Sequence, residues 1–174
     1  MGREQAHRLP RLAGEPRAGG TAMPRTYLVI VDQTPEARVA ARFAARRAAK
    51  TGSAVELVAV MPVPEFSAFG GVQATMEQEE RLRAQALLSA VAGEAEEETG
   101  LRPAQTVLQG DPAPAVRELL TGRADVAALV LGAAVEGHPG PLIAEFTGAD
   151  AGRLPCPVTV VPGGLGAEAI ERLS

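Results

Sequence analysis

The feature that most constrains the fold is a series of short apolar runs, each followed by signals for the start of a helix. The first run, Tyr27–Val31, is continuous and rich in β-branched residues, which is typical of a strand buried on both faces of a sheet. Thr34 and Pro35 follow it and suit the N-cap and the first position of a helix. Gly52 is placed to end that helix in the left-handed conformation.

The same alternation continues along the chain. Thr75 and Gln78 form a capping-box pattern, which predicts the start of a second helix that ends at Gly100. Asp111 suits the cap of a third helix and Pro112 its first position. Four more strands are predicted at Val55–Val60, Thr106–Gln109, Val126–Leu131 and Val158–Val161, with a fourth helix reaching to about Arg153 and a short terminal helix at Ala167–Leu173.

Apolar strands that alternate with helices predict a Rossmann-like α/β fold, in which one open parallel sheet carries helices on both faces. Ligands bind such sheets beyond the carboxyl ends of the strands, where the winding direction reverses. Two segments are candidates for that edge: Asp32–Pro35 after the first strand and Gly132–Pro141 after the fourth. They face each other only if these two strands are neighbours, and the residues alone leave the strand order open.

The motifs of common α/β enzymes are missing from these places. A P-loop needs a lysine after its glycines, but Lys50, the only lysine, ends the first predicted helix. Neither the dinucleotide fingerprint after the first strand nor a G-x-S-x-G elbow occurs. His138 and Cys156 do not make a metal site, and Cys156 lies between two prolines at a buried strand, a poor place for a reactive thiolate. We expect no enzyme, because the remaining alternative, a nucleotidyl-transferring or hydrolysing protein, lacks a paired acid and base.

Charge and composition limit the partners. A formal charge of −4 disfavours nucleic-acid binding, which needs a basic surface. No apolar run reaches the ~18 residues of a membrane helix, and no secretory signal is evident, so a cytoplasmic location is expected. Residues 1–24 lack hydrophobic periodicity and are predicted to be a disordered tail. The α/β domain is predicted over residues 25–165 and a short helix or tail over 166–174.

Charged clusters and two aromatic residues lie on or near the predicted helices. Arg38, Arg42 and Arg46 are spaced by four and are expected to form a solvated helix face, not a binding face. The acidic residues at 94 and 96–98 oppose the helix dipole at the end of the second helix, which we expect to fray. Phe66 and Phe69, in the loop before that helix, are expected to cover the edge of the core.

Several segments together resemble the universal stress protein family. They are Tyr27–Asp32 with its following helix, Val55–Pro62, Gly110-Asp111-Pro112, Asp125–Gly132, and Leu154–Pro162 with its Pro-Cys-Pro-Val sequence. The ordered set extends from Arg25 to Pro162. The resemblance implies the strand order 3-2-1-4-5, which brings the two candidate loops face to face, and a homodimer that forms through the fifth strand.

Some members of that family bind ATP, and the resemblance implies where such a site would lie. The acidic residue after the first strand and the backbone near the end of the second contact the adenosine. These positions correspond to Asp32 and Val60. A G-x2-G-x9-G-[ST] segment cradles the phosphates, and it would begin here at Gly132.

The phosphate segment departs from the family pattern in this chain. Val135, Glu145 and Phe146 stand where two glycines and a hydroxyl residue are needed, and a bulky residue keeps the backbone away from the phosphates. Glu136 and Glu145 add negative charge, and the segment contains no lysine or arginine to offset it. The remaining glycines are then interpreted as turn and helix-packing residues.

The main hypothesis is therefore a non-catalytic stress-response protein that has no standard ATP site and no cofactor. An adenosine-type small molecule is still expected to bind weakly through Asp32. The alternative is a protein that binds ATP or AMP through a divergent glycine loop. Its candidate residues, beside Asp32, Val60 and Gly132, are Gly137, Gly140, Thr147 and Gly148.

Overall fold

A computed structural model describes residues 25–63, 70–149 and 151–174, with the backbone alone at residues 70–73. The strands are β1 (Thr26–Ile30), β2 (Ala54–Met61), β3 (Ala104–Gln109), β4 (Val126–Ala133) and β5 (Val158–Pro162). The helices are α1 (Pro35–Thr51), α2 (Gly70–Thr99), α3 (Pro112–Leu120), α4 (Pro141–Thr147) and α5 (Ala167–Leu173), with a 3-10 turn at Ala151–Arg153. The predictions for residues 1–24 and for Phe66 and Phe69 lie outside the described residues.

All neighbouring strands are parallel, and their order is β3-β2-β1-β4-β5. This confirms the predicted single sheet and its strand order. Because the winding reverses between β1 and β4, the carboxyl ends of these two strands form the edge at which a ligand is expected.

The core has two layers, one on each face of the sheet. Leu28 and Val29 are both fully buried, but they lie in different layers because successive side chains of a strand point to opposite faces. One layer includes Leu88 of α2 together with the alanines of α1. The other includes Val116 of α3 and Phe146 of α4. The predicted placement of helices on both faces is confirmed.

The ends of the helices agree only in part with the cap patterns. Thr34 caps α1, with its Oγ1 accepting from the Ala37 N–H at 3.4 Å, and Gly52 ends that helix at φ 65°. Gly100 adopts φ 73° after α2, as predicted. However, α2 begins at Gly70, so Thr75 lies inside the helix and the capping-box prediction is wrong. Threonine is tolerated in a helix interior, so the pattern alone does not establish a helix start.

The third and fourth helices also differ from expectation. Asp111 occupies the N-cap of α3, but its side chain makes no capping hydrogen bond. The fourth helix ends at Thr147, well before Arg153, and residues 151–153 form a separate 3-10 turn. Gly148 follows α4 at a place where a Cβ would lie 2.7 Å from the Ala144 carbonyl oxygen. The chain therefore leaves the helix at a residue that only glycine fits without a shift.

The arginine row of α1 faces acidic residues of α2 instead of forming a purely solvated surface. Arg38 pairs with Glu94, and Glu98 accepts from Arg42 at 2.8 Å and from Arg46 at 3.2 Å. Glu98 belongs to the last turn of α2, which is helical through Thr99. The expected fraying of this end stays a prediction. The arginines of α1 and the glutamates of α2 therefore offset each other's charge. Neither set of residues, considered alone in the sequence, predicts this pairing.

The terminal helix α5 packs on α1. Ile170 is fully buried, and Glu171 pairs with Arg46 and with Lys50. The Lys50 Nζ also donates to the Glu171 carbonyl oxygen at 2.6 Å. The only lysine of the chain is therefore bound to the terminal helix.

A charged network that no sequence motif indicated lies near the amino ends of the strands. Glu56 of β2 is 8% exposed and accepts from the Thr106 hydroxyl at 2.7 Å and from Arg123 at 2.9 Å. Arg123 also donates two hydrogen bonds to Asp125, which lower the pKa of Asp125 to about 2. The network links β2, β3 and the start of β4 at the edge opposite the candidate ligand site.

Arg123→Met should destabilise the fold, because it leaves the buried carboxylate of Glu56 without a counter-charge. We expect a loss of about 3 kcal/mol in the free energy of unfolding at pH 7, measured by urea denaturation. The double variant Glu56→Gln/Arg123→Met should recover most of that loss. As a control, Arg102→Met removes an exposed pair with Glu96 and should cost less than about 1 kcal/mol. Equal effects of the two single substitutions would contradict the prediction.

The same network sets the expected pH dependence. The folded pKa of Asp125 lies below its ordinary value of 3.8, so its contribution to stability is complete well above that value. It should be lost as the pH falls toward 2.

Candidate functional site

Two cavities meet at Asp32, at the carboxyl end of β1. The first, here called the α4-side cavity, has a volume of about 210 Å³ and lies between the ends of β1 and β4, the start of α1 and the start of α4. The second, the α2-side cavity, has about 130 Å³ and lies between the ends of β1 and β2 and α2. Asp32 lines both, whereas Gly132 and Gly140 line only the first. The two loops singled out in the sequence therefore do face each other.

Asp32 is held by the helix start that follows it. Its Oδ1 accepts from the Thr34 backbone N–H at 2.9 Å and from the Thr34 hydroxyl, while the same hydroxyl oxygen caps α1 at Ala37. No described residue donates to Oδ2 of Asp32. The side chain is exposed, so this second oxygen is available to a ligand hydroxyl or amine.

The structure brings together only part of the predicted nucleotide site. Asp32, Gly132 and Gly140 surround the α4-side cavity, and Val60 lines the α2-side cavity with Asp32. Gly137, Thr147 and Gly148 line neither. The predicted site residues thus fall into two groups. One group lines the cavities, and the other belongs to the loop after β4 and to the end of α4.

The loop and helix residues have local roles. Gly137 adopts φ 76°, as a turn requires, and Gly140 adopts φ 121° at the N-cap of α4. The Thr147 hydroxyl donates to the Ile143 carbonyl oxygen at 2.7 Å, within the helix. A phosphate would have to compete with that bond for the threonine.

Gly132 is required for packing. A Cβ added there would lie 2.3 Å from the Glu36 carbonyl oxygen and 3.0 Å from the Ala37 nitrogen. The end of β4 therefore touches the backbone of the first turn of α1. This contact accounts for the glycine without any ligand, as the helix-packing interpretation proposed.

The three residues that interrupt the phosphate motif do not lie in the cavity. Val135 is 73% exposed, and Phe146 is fully buried in the core beneath Arg117, whose guanidinium lies 5.1 Å from the ring centroid. Glu145 pairs with Arg117 at 2.8 Å. Glu145 therefore repels phosphates less than the sequence segment suggested, because a positive charge from outside that segment offsets it.

Two acidic residues line the α4-side cavity, Asp32 and Glu36, and Glu36 was not among the sequence-predicted candidates. Glu36 and Asp32 both line the cavity, and His138 is the lining residue that can carry a positive charge. The sequence did contain a signal that Glu36 lies at this edge. It follows Asp32 by four residues and belongs to the first turn of the helix that Asp32 precedes. Among the described residues that line this cavity, none is a lysine or an arginine.

The α2-side cavity has a mixed rim. Its wall on α2 is formed by Glu80, Arg83, Ala84 and Leu87, and its sheet side includes Val60. Arg83 pairs with both Glu80 and Glu79, so its charge is already offset. This half of the site offers apolar surface and backbone groups with little net charge.

Cys156 and His138 do not form a dyad across this edge. Cys156 is buried in the layer beneath α3 and α4, and desolvation raises the pKa of its thiol, whereas His138 is exposed at the α4-side cavity. No group of three potential metal ligands occurs among the described residues. Within the same residues, no helix is long and apolar enough to cross a membrane.

One family model and several solved structures are similar to this chain. A family model described as the universal stress protein family matches residues 23–162. No curated protein is a significant match to the sequence.

Solved structures share the fold. The universal stress protein UspA from Lactobacillus plantarum is 18% identical, with a TM-score of 0.64 over 81% of this chain and 99% of that one. A universal stress protein family member from Burkholderia pseudomallei is 18% identical, with a TM-score of 0.62 over 83% and 99%. A family protein from Arabidopsis thaliana, solved with AMP bound, is 15% identical, with a TM-score of 0.53 over 83% and 94%.

Gly132→Ala should destabilise the protein, because its Cβ meets the backbone of α1 and forces the helix start to move. We expect a loss of about 1–3 kcal/mol in the free energy of unfolding. Gly93→Ala is the matched control, since Gly93 lies inside α2 with open space where its Cβ would stand. It should stabilise the protein by about 0.5–1 kcal/mol. Chemical denaturation of both variants measures the difference, and equal effects would show that the contact is not tight.

Proposed function

Since the chain belongs to the universal stress protein family, we propose that it is a non-catalytic stress-response protein that binds an adenosine-type molecule without using phosphates. The family assignment follows from the match over residues 23–162. The ligand and the way it binds are inferred from the two cavities at Asp32.

The observation that carries the proposal is the charge of the α4-side cavity. With an adenosine in the α2-side cavity, phosphates would extend past Asp32 toward Gly132, where the lining contributes Asp32 and Glu36. Two unit charges of the same sign at 4 Å repel by about 1 kcal/mol even in bulk water, and more near a protein surface. A polyanionic tail is therefore disfavoured beside these two carboxylates.

The adenosine part has a more favourable environment. The free Oδ2 of Asp32 can accept from a ribose hydroxyl, and the half-buried Val60 at the carboxyl end of β2 lines the same cavity as the apolar Ala84 and Leu87. Apolar walls with a few directed polar groups are typical of small-molecule sites. The cavity is small, so part of the ligand is expected to remain in contact with water.

A second candidate function is binding of AMP or ATP through the divergent loop. Gly140 and the start of α4 line the α4-side cavity and offer backbone N–H groups. The Arabidopsis neighbour was solved with AMP, which makes an adenine nucleotide a reasonable ligand to test here. The two candidates differ in one respect, which is whether phosphates increase affinity.

We further propose a cytoplasmic homodimer that forms through β5. This strand lies at the edge of the sheet, where one side of its backbone has no neighbouring strand. Val160 on this strand is 38% exposed, more than most apolar residues of the sheet. Pairing with a second copy would cover both the backbone groups and the valine.

Adenosine, AMP, ADP and ATP with magnesium should bind with no gain in affinity as phosphates are added. Isothermal titration calorimetry of the four ligands measures this directly. Micromolar ATP binding that weakens as phosphates are removed would favour the second candidate function. The methyl signals of Ile30 and Ile143, which line the α4-side cavity, would locate the ligand by NMR.

Glu36→Gln should improve ATP affinity about fivefold while leaving adenosine unchanged, because removing one nearby negative charge is worth about 1 kcal/mol. Glu145→Gln is the matched control, since its carboxylate pairs with Arg117 away from the cavity. Calorimetry with ATP on both variants provides the comparison. An equal gain from both would mean that the effect reflects net charge and not the cavity.

Val160→Lys should shift the protein from dimer toward monomer or aggregate, because a charge is placed in the proposed interface. Sedimentation velocity at tens of micromolar, a concentration at which many weak homodimers assemble, measures the shift. Val135→Lys is the control, because Val135 is more exposed but lies outside β5. A wild-type chain that sediments as a monomer would exclude the proposed dimer.

A further inference from the structure

The sheet has a second edge, which lies at β3 on the opposite side from β5. One side of β3 pairs with β2, and no described strand pairs with the other side. A groove of about 420 Å³ lies between this strand and α2, and we call it the α2–β3 groove. Its lining comprises Arg81, Gln85, Leu88, Ser89, Gln105 and Val107.

The outer side of β3 carries backbone groups that a further strand could bond. The Gly110 N–H, directly after the strand, donates to the Met61 carbonyl oxygen of β2 at 3.0 Å. Successive residues of a strand direct their backbone groups to alternate sides, so every second residue back from Gly110 also bonds toward β2. The alternate residues, Gln105, Val107 and Gln109, direct their N–H and C=O groups outward, where no described strand lies.

The side chains of these alternate residues all lie on the α2 face of the sheet, because the side chains of a strand have a period of two. Val107 packs in the same layer as Leu88, and the Ser89 hydroxyl donates to Oε1 of Gln105 at 3.1 Å. A strand added beside β3 would lie about 4.8 Å from it and direct every second side chain toward α2. The free edge and the groove are therefore parts of one surface.

The charge of the groove favours an acidic side chain at this surface. Among the described residues that line it, Arg81 is the charged one, and the other polar groups are amides and a hydroxyl. Arg83, two residues on, pairs with Glu79 and Glu80, whereas Arg81 makes no ion pair with a described residue. Glu77, one turn before Arg81, does not line the groove. A carboxylate is therefore favoured over a cationic group.

Two other occupants of the edge match this charge less well. A second copy of the chain would bring its own β3, whose sequence AQTVLQ contains no acidic residue. Residues 1–24 contain four arginines and two glutamates, so that segment is basic overall. An acidic segment of a different protein is the better complement to Arg81.

We propose that β3 and the α2–β3 groove bind an extended acidic peptide segment of another protein, which adds to the sheet as a sixth strand and places a carboxylate at Arg81. In strand addition, main-chain hydrogen bonds supply affinity and alternate side chains supply specificity. Here the outward groups of β3 supply the first and the groove supplies the second. The guanidinium of Arg81 suits its role because it can bind a carboxylate through two parallel hydrogen bonds.

The probe is the peptide acetyl-Thr-Val-Glu-Val-Thr-amide, and the measurement is NMR of the backbone amides. As a strand, the peptide presents its glutamate between two threonines on one face and its valines on the other. The Val107 N–H should shift saturably, with a Kd of about 0.1–1 mM, and exchange more slowly with solvent. Val160, on the edge strand β5, should be unaffected. Saturable shifts at Val160 with none at Val107 would overturn the proposal.

The carboxylate is tested by comparing two peptides on two variants. Arg81→Gln should weaken binding of the glutamate peptide about fivefold and leave unchanged the same peptide with glutamine in place of glutamate. Arg172→Gln makes the same change of charge on α5 and should alter neither affinity. Equal losses for the two peptides in Arg81→Gln, or no loss for the glutamate peptide, would overturn the assignment of the carboxylate.

The backbone pairing is tested with Val107→Pro, which removes the middle one of the outward N–H groups. Proline is tolerated on an edge strand where the lost N–H faces solvent. The variant should abolish binding of both peptides, provided that its melting temperature matches the wild type. Because Arg81 is exposed, its substitution tests the proposal even if Val107→Pro does not fold. A Val107 amide that is protected in the free protein and loses its protection on dilution would show that a second copy covers this edge, which would overturn the proposal.

Discussion

The close approach of α1 to the sheet is the constraint on which the rest of the structure depends. Its inner face consists of alanines such as Ala40, Ala44 and Ala48, all fully buried, and these let the helix backbone lie near the strands. At its amino end the backbone touches β4 so closely that position 132 admits only a hydrogen atom. The helix thereby contacts β1, β2, β4 and β5 as well as α2 and α5. Placing α1 in this way also places Asp32 and Glu36 at the ligand edge.

This arrangement changes how the glycine-rich segment after β4 is understood. A glycine that serves a phosphate leaves room for the ligand, whereas Gly132 leaves room for a helix. Two of the three residues that interrupt the phosphate motif are likewise used elsewhere, since Phe146 fills the core and Glu145 pairs with Arg117 of α3. The segment is thus integrated into the packing of the domain. Its electrostatic character at the cavity is set by α1, the element that packs against it.

How far the sequence predicted the structure depended on the distance between interacting residues. Local signals indicated the strands, the caps at Thr34 and Gly52, and the terminal helix, because each depends on neighbours in the chain. The strand order came from the family resemblance. The arginine–glutamate pairs between α1 and α2 and the Glu56–Arg123 pair join residues more than fifty positions apart, so no local pattern indicates them. Glu36 was overlooked for a different reason, since it follows Asp32 by only four residues and this local signal was not used.

The position of Lys50 has a consequence for chemical labelling. Its amine is the only one that a side chain of this protein offers, and it is held by the carbonyl and carboxylate of Glu171 on α5. An amine bound in this way is a poorer nucleophile than one free in water, because acylation must first break its contacts. The rate at which an amine-directed reagent modifies Lys50 therefore reports how often the amine leaves its contacts with Glu171. Lys50 is therefore a natural probe of the contact between α1 and α5.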